Sequence, residues 1–228
     1  MIDLWELHGD EDRRYSNFSW RTRMALRHKQ LEVRYRPVLL TDKASIEFSG
    51  GKTVPVIRDG GAVVRDSWSI AEYLEKQYPD RPSLFGGDTG QALARLVNSW
   101  VDRTVMAVAF PLVACDLVEV QREADRPYFS ALIEQITGLT PAALKEHQER
   151  NAQRLAKAVD PARATLKRQA FLSGRAPAYA DYALFSIYQW ARIASPLDLL
   201  ADDPVMKAWF ERLLDLNEGY ARATPVHH

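Results

Sequence analysis

The sequence predicts an α/β domain followed by an all-α helical bundle. Three observations carry this: β-like and helical runs alternate through the first eighty residues, an Asp-Gly turn joins two apolar runs near residue 60, and helical periodicity fills the rest. The chain has 228 residues, 46% hydrophobic and 26% charged, enough for one large domain or two smaller ones with sizeable cores. With 30 Lys+Arg against 30 Asp+Glu, the formal charge is zero, so a dedicated nucleic-acid binder, which needs a surplus of cations on one face, is not expected.

Taken in order, a strand is expected over 2–8, a helix over 17–29, a strand over 32–38 and a short helix over 43–48, which together make a βαβ unit. Val54, Val56 and Ile57 then form one arm of a hairpin and residues 62–64 the other, with Arg58-Asp59-Gly60-Gly61 between them. Ile70, Tyr73, Leu74 and Tyr78 place one apolar face on a helix over 67–77. The order is βαβα-ββα over residues 1–78. Pro79, Pro82, Gly86 and Gly87 interrupt both periodicities, so residues 79–88 read as a linker. Beyond it, over 89–220, Leu93, Leu96, Val97, Trp100 and Val101 keep helical spacing, as do Leu184, Ile187, Tyr188 and Ala191, and then Met206, Trp209, Phe210, Leu213 and Leu214. Pro141 is expected to start one long helix and Pro111 to kink another.

Export and membrane insertion are not expected. The opening fourteen residues lack a signal peptide's basic start and apolar core, and the longest apolar run, 105–115, is far shorter than the roughly 20 residues a spanning helix needs. Cys115 is the only cysteine, which excludes an intrachain disulfide, fits a reducing cytoplasm and argues against structural zinc. On an apolar helix face it is expected to pack. His8, His28 and His147 have no metal-ligand spacing, and Asp10-Glu11-Asp12 lacks the glycine and distal glutamate of a calcium loop. Gly51-Lys52-Thr53 imitates a phosphate loop, but Ile46 stands where the leading glycine is required. His227 and His228, native or left from a purification tag, are set aside.

Three places can carry chemistry. Thr53-Val54-Pro55-Val56 opens the hairpin with a residue that has no N–H. Pro55 is either the first residue of an edge strand or a cis residue that turns the Val54 N–H and C=O outward to pair with an extended peptide. Asp66-Ser67 lies where the last strand meets its helix; it either caps that helix or binds a ligand's α-carboxylate on Ser67 and its ammonium on Asp66. Tyr15 to Arg21 places hydroxyls and free N–H groups between the first strand and the first helix, again suited to an anion.

Here the sequence resembles the glutathione transferases, through SNFSWRTRMALRHK at 16–29, TVPV at 53–56, DSWSIAEYLE at 66–75 and YPDRPSLF at 78–85. Within that family it looks most like the bacterial and fungal β-etherase type, which cleaves β-aryl ethers. The resemblance implies a thioredoxin-like amino-terminal domain, a helical domain supplying the electrophile pocket, and a cytoplasmic homodimer with glutathione as co-substrate. Thr53, Val54 and a cis-Pro55 would hold the cysteinyl backbone, and Asp66 and Ser67 the γ-glutamyl end. Ser16 falls at the catalytic position, with Asn17 and Ser19 as alternative donors, although that type carries Pro where this chain has Asn17. A free thiol of pKa about 8.5 is only a few per cent thiolate at pH 7, and a hydrogen bond to the anion worth about 1.5–3 kcal/mol lowers that pKa by roughly one to two units.

The maleylacetoacetate isomerase type shares much of the first motif but reads Ser-Ser-Cys where this chain has Ser16, Asn17 and Phe18. A third alternative is a binding or interaction module that kept the scaffold and lost the chemistry. For the electrophile pocket, Trp100, Thr104, Val108 and Tyr188 are the expected walls. The family also places Ser or Thr three residues before Asp181, where this chain has Ala178, so Asp181 should cap its helix with less help, a loss of order 1 kcal/mol unless Tyr179 or a water compensates.

Overall fold

The computed structural model describes residues 1–226, so His227 and His228 lie outside the described residues. Strands β1 (Ile2–Leu7), β2 (Val33–Val38), β3 (Val56–Asp59) and β4 (Ala62–Arg65) form one mixed sheet in the order β2-β1-β3-β4. β1 lies parallel to β2, with Leu4 opposite Tyr35, and antiparallel to β3, with Leu4 opposite Ile57. The hairpin turns on Gly60 and Gly61; Gly60 has φ 56°, which the tight turns favoured between twisted strands require. β3 starts at Val56, so Val54 and Pro55 precede the ladder, and the Val54–Pro55 peptide bond is cis.

Helix α1 (Asn17–His28) connects β1 to β2, and α2 (Ser67–Gln77) follows β4. The chain then continues through α3 (Asp88–Trp100), a wide π-type turn at Val101–Val105, α4 (Met106–Val120), α5 (Arg126–Thr137), α6 (Pro141–Glu146), α7 (Gln148–Ala158), α8 (Asp160–Leu166), α9 (Tyr179–Ala194) and α10 (Pro204–Leu214). Pro141 does open a helix, capped by Thr140 Oγ1 accepting from the Ala143 N–H at 3.2 Å. That helix is short, because His147, at φ −102° and ψ 4°, separates it from α7. α4 runs on through Pro111, and the irregularity falls at the wide turn before it.

One apolar core runs through both halves. α9 lies at its centre: every residue of it except Arg192 is buried, and it packs against α1, α3 and α4. Ala178 offers no side-chain cap, yet Asp181, fully buried, accepts from the Ala178 N–H at 3.2 Å, the Leu172 N–H at 2.7 Å, the Ser173 N–H at 3.1 Å and Trp209 Nε1 at 2.9 Å. The expected shortfall is met by a folded-back loop and a tryptophan from α10 rather than by Tyr179. Between the halves, Arg21 Nε donates to Ser186 Oγ at 3.1 Å and Nη1 to Asn98 Oδ1 at 3.0 Å, while His28 Nδ1 lies 2.7 Å from the Tyr182 hydroxyl.

The stripe predicted on α3 and just beyond it divides: Val97 and Trp100 pack partly buried against the core and Val101 is fully buried, but its first two residues face outward. Leu93 and Leu96 are 59% and 67% exposed, while Ala94 and Asn98 turn inward. None of the helices among the described residues is long and apolar enough to cross a membrane.

Candidate active site

Ser16 ends the loop after β1 in an extended conformation and caps α1, its Oγ accepting from the Ser19 N–H at 3.2 Å. An accepted bond leaves the hydroxyl proton free to donate elsewhere. Asn17, the first residue of α1, is 5% exposed, and its Nδ2 is buried without a hydrogen-bond partner. Both residues line a cavity of about 420 Å3 between the sheet and the helices. The first N–H groups of α1, which have no partner within the helix, add the positive end of its dipole.

The same cavity is lined by Thr53, Val54 and Pro55 before β3, and by Asp66 and Ser67 at the start of α2. Asp66 has φ 72° and ψ 132°, a region that costs a non-glycine residue of order 1–3 kcal/mol. Its Oδ1 accepts from the N–H groups of Trp68 at 3.1 Å and Ser69 at 3.0 Å, so capping holds it there and Oδ2 has no partner among the described residues. Ser67 is 2% exposed, with the fully buried Tyr179 among the residues behind it. Burial pushes the Tyr179 hydroxyl far above the usual tyrosine range and keeps it neutral.

Other residues were not expected from the sequence. Asp42, Lys43 and Lys52 line the cavity too. Their charges alternate with loop polarity, and no periodic pattern distinguishes them from surface residues. Tyr15 also lines it, but its hydroxyl donates to Gln121 Oε1 at 2.8 Å, and burial raises its pKa, so its proton is already committed. Ser19 does not reach the cavity: it is 2% exposed, and its part is the N–H it gives to Ser16.

The apolar wall corrects the sequence expectation. It comes from Met106, Phe110 and Leu117 of α4 with Phe129 and Trp190, and Phe110 stacks on Trp190 at 6.3 Å. Trp100, Thr104, Val108 and Tyr188 do not line it. Thr104 and Val108 each stand two residues from Met106, Val108 also two from Phe110, about 200° around a helix of 3.6 residues per turn. Tyr188 is buried against Trp209 and Phe210 on another side of α9. Cys115 lies away from the cavity, and burial with the neighbouring Asp116 pushes its thiol up to about 11, so it stays protonated. No group of side chains among the described residues could hold a metal ion.

Residues 12–82 match the amino-terminal domain of glutathione S-transferases, and residues 92–215 match the carboxy-terminal domain. The chain belongs to the glutathione S-transferase family. Over 87 residues, 35% of this chain, it is 34% identical to the maleylacetoacetate isomerase of Dictyostelium discoideum, a match that spans only 40% of that protein's length. Glutathione transferase GSTFuA3 of Phanerochaete chrysosporium superposes with a TM-score of 0.76 and 27% identity, over 97% of this chain and 93% of that one. A glutathione S-transferase of Ceriporiopsis subvermispora, crystallised with glutathione, has the same fold, with a TM-score of 0.77 and 19% identity over 97% and 93% of the two chains.

Proposed function

We propose that this glutathione S-transferase is a cytoplasmic homodimer of β-etherase-like type, in which a glutathione thiolate attacks a small hydrophobic electrophile. The observation that carries the reading is one cavity with two unlike sides. Its polar side is Ser16 and Asn17 with Val54, Asp66 and Ser67, and its opposite wall is aromatic and aliphatic. A tripeptide with charges at both ends suits the polar side. The backbone beside Pro55 takes the cysteinyl peptide group, the Ser67 N–H and hydroxyl take the γ-glutamyl carboxylate, and Asp66 Oδ2 takes its ammonium. Lys43 and Lys52 suit the glycyl carboxylate at the other end. The sulfur then lies toward the Ser16 hydroxyl, Asn17 Nδ2 and the start of α1, three donors that favour the anion. Its lone pair forms the carbon–sulfur bond, an aryl oxide or similar group leaves with the broken bond's electron pair, and the thiol proton passes to solvent.

The outward Leu93 and Leu96 supply an apolar face suited to pairing two copies of the chain. A second reading, a maleylacetoacetate-isomerase-like activity, is favoured by the 34% identity over 87 residues, whereas Phe18 in place of that type's cysteine opposes it.

Calorimetric titration with glutathione at neutral pH tests the shared premise. One-to-one binding per chain that weakens sharply in Ser67→Ala is expected, and its absence at millimolar glutathione would leave a non-catalytic module. Turnover of a β-aryl ether ketone against maleylacetone then separates etherase from isomerase.

A further inference from the structure

A second cavity, of about 580 Å3, adjoins the first and shares Phe18, Met106 and Phe110 with it. Away from that shared wall its character changes. His147, Arg150, Asn151 and Arg154 line it from α7 and the residue before it, at the i, i+3, i+4, i+7 spacing of a single helix face. Asn151 is 4% exposed, yet its side-chain amide has no hydrogen-bond partner among the described residues. Arg150 and Arg154, both exposed, enter no ion pair among the described residues. The two arginines buried among the described residues are matched by carboxylates: Arg23 Nε donates to Glu6 Oε2 at 2.7 Å, and Arg21 pairs with Asp102 at 2.7 Å. Asp102 also lines this second cavity, so its charge there is already answered by Arg21.

Two solvent-exposed guanidinium groups without a carboxylate partner, one helical turn apart beside a nearly buried amide and an apolar wall, suit an anion carried on an apolar stem. A neutral ligand would gain nothing from the cations, and a small hydrophilic anion nothing from the wall. Building on the transferase reading, we propose that this cavity takes the acidic arm of the electrophile. The substrates are aromatic or aliphatic electrophiles bearing a carboxylate, which lies on Arg150 and Arg154 and accepts from the Asn151 amide. Their reactive carbon stays in the first cavity, facing Ser16.

The test uses a chlorodinitrobenzamide with a butanoate arm on the amide nitrogen, and its methyl ester. The amide insulates the ring, so the two share their reactivity toward glutathione, whose thiolate displaces chloride. The carboxylate should be preferred by at least about tenfold in kcat/KM, and Arg150→Gln with Arg154→Gln should erase that preference while leaving ester turnover and glutathione affinity unchanged. In parallel, an unreactive analogue with methyl in place of chlorine is titrated calorimetrically without glutathione, and the double variant should weaken its binding about tenfold. Equal turnover and binding of the two arms, or a preference that survives in the double variant, would overturn the proposal. Should glutathione fail to bind and neither compound turn over, the transferase reading fails, and the analogue titration still decides where the acidic arm goes.

Discussion

Replacing Ser16 removes two things at once, and a pair of variants separates them. Its Oγ caps α1 through the Ser19 N–H at 3.2 Å, and its proton is the proposed donor to the thiolate. Ser16→Ala loses both, whereas Ser16→Gly keeps a residue tolerated at a helix start, costing a few tenths of a kcal/mol against about 1 kcal/mol for alanine. The stability loss should therefore differ between the two variants, while the chemical loss should not. A hydrogen bond to a charged sulfur is worth about 1.5–3 kcal/mol, which moves the thiol pKa by about one to two units. On the acidic limb of the pH–rate profile kcat/KM should then fall about ten- to hundredfold in both variants, and it should converge with the parent's once pH exceeds the raised pKa. Thiolate absorbance of bound glutathione, titrated with pH, gives that pKa directly. If both variants keep the parent's titration curve, Ser16 is a cap only, and Asn17 Nδ2 with the helix dipole holds the anion.

Further outcomes follow from particular contacts. Asp181→Ala should destabilise the fold by about 3 kcal/mol or more, read in urea unfolding, because the Leu172, Ser173 and Ala178 N–H groups and Trp209 Nε1 lose their buried acceptor. Burial lowers the pKa of His28 below 6.5, so its contribution is complete above that pH and is lost as pH falls from there through the folded-state pKa; unfolding measured across this window should show a shallower acid-side loss in His28→Gln than in the parent. Leu93→Asp with Leu96→Asp should shift sedimentation from dimer to monomer at micromolar concentration, leaving the monomer folded because both side chains are exposed.

Where local chemistry dictates local structure, the sequence is a sufficient guide. Gly60 and Gly61 stand at the hairpin turn and Asp66 and Ser67 at a helix start, as expected, although β3 begins only at Val56 and leaves Val54 outside the arm. Seven of the proposed site residues, from Ser16 and Asn17 to Asp66 and Ser67, thus line one cavity, because strand ends and helix starts converge on the same edge of the sheet. The reading falters where rotation about a helix axis decides. Periodicity shows that α3 has an apolar stripe but not how much of it is covered: Val97 and Trp100 pack against the core, while Leu93 and Leu96 point outward. Likewise α4 contributes Met106 and Phe110, two residues from Thr104 and Val108, because packing against α9 sets its phase. Asp181 illustrates the same limit: its missing cap partner is visible in the sequence, but the donors that replace it come from a loop and from α10, brought together only when the helices pack. The sequence alone determined the order of elements and the family. Tertiary packing decided which helix faces meet, and with them the wall of the cavity, because hydrophobic burial specifies that a stripe be covered without specifying by what.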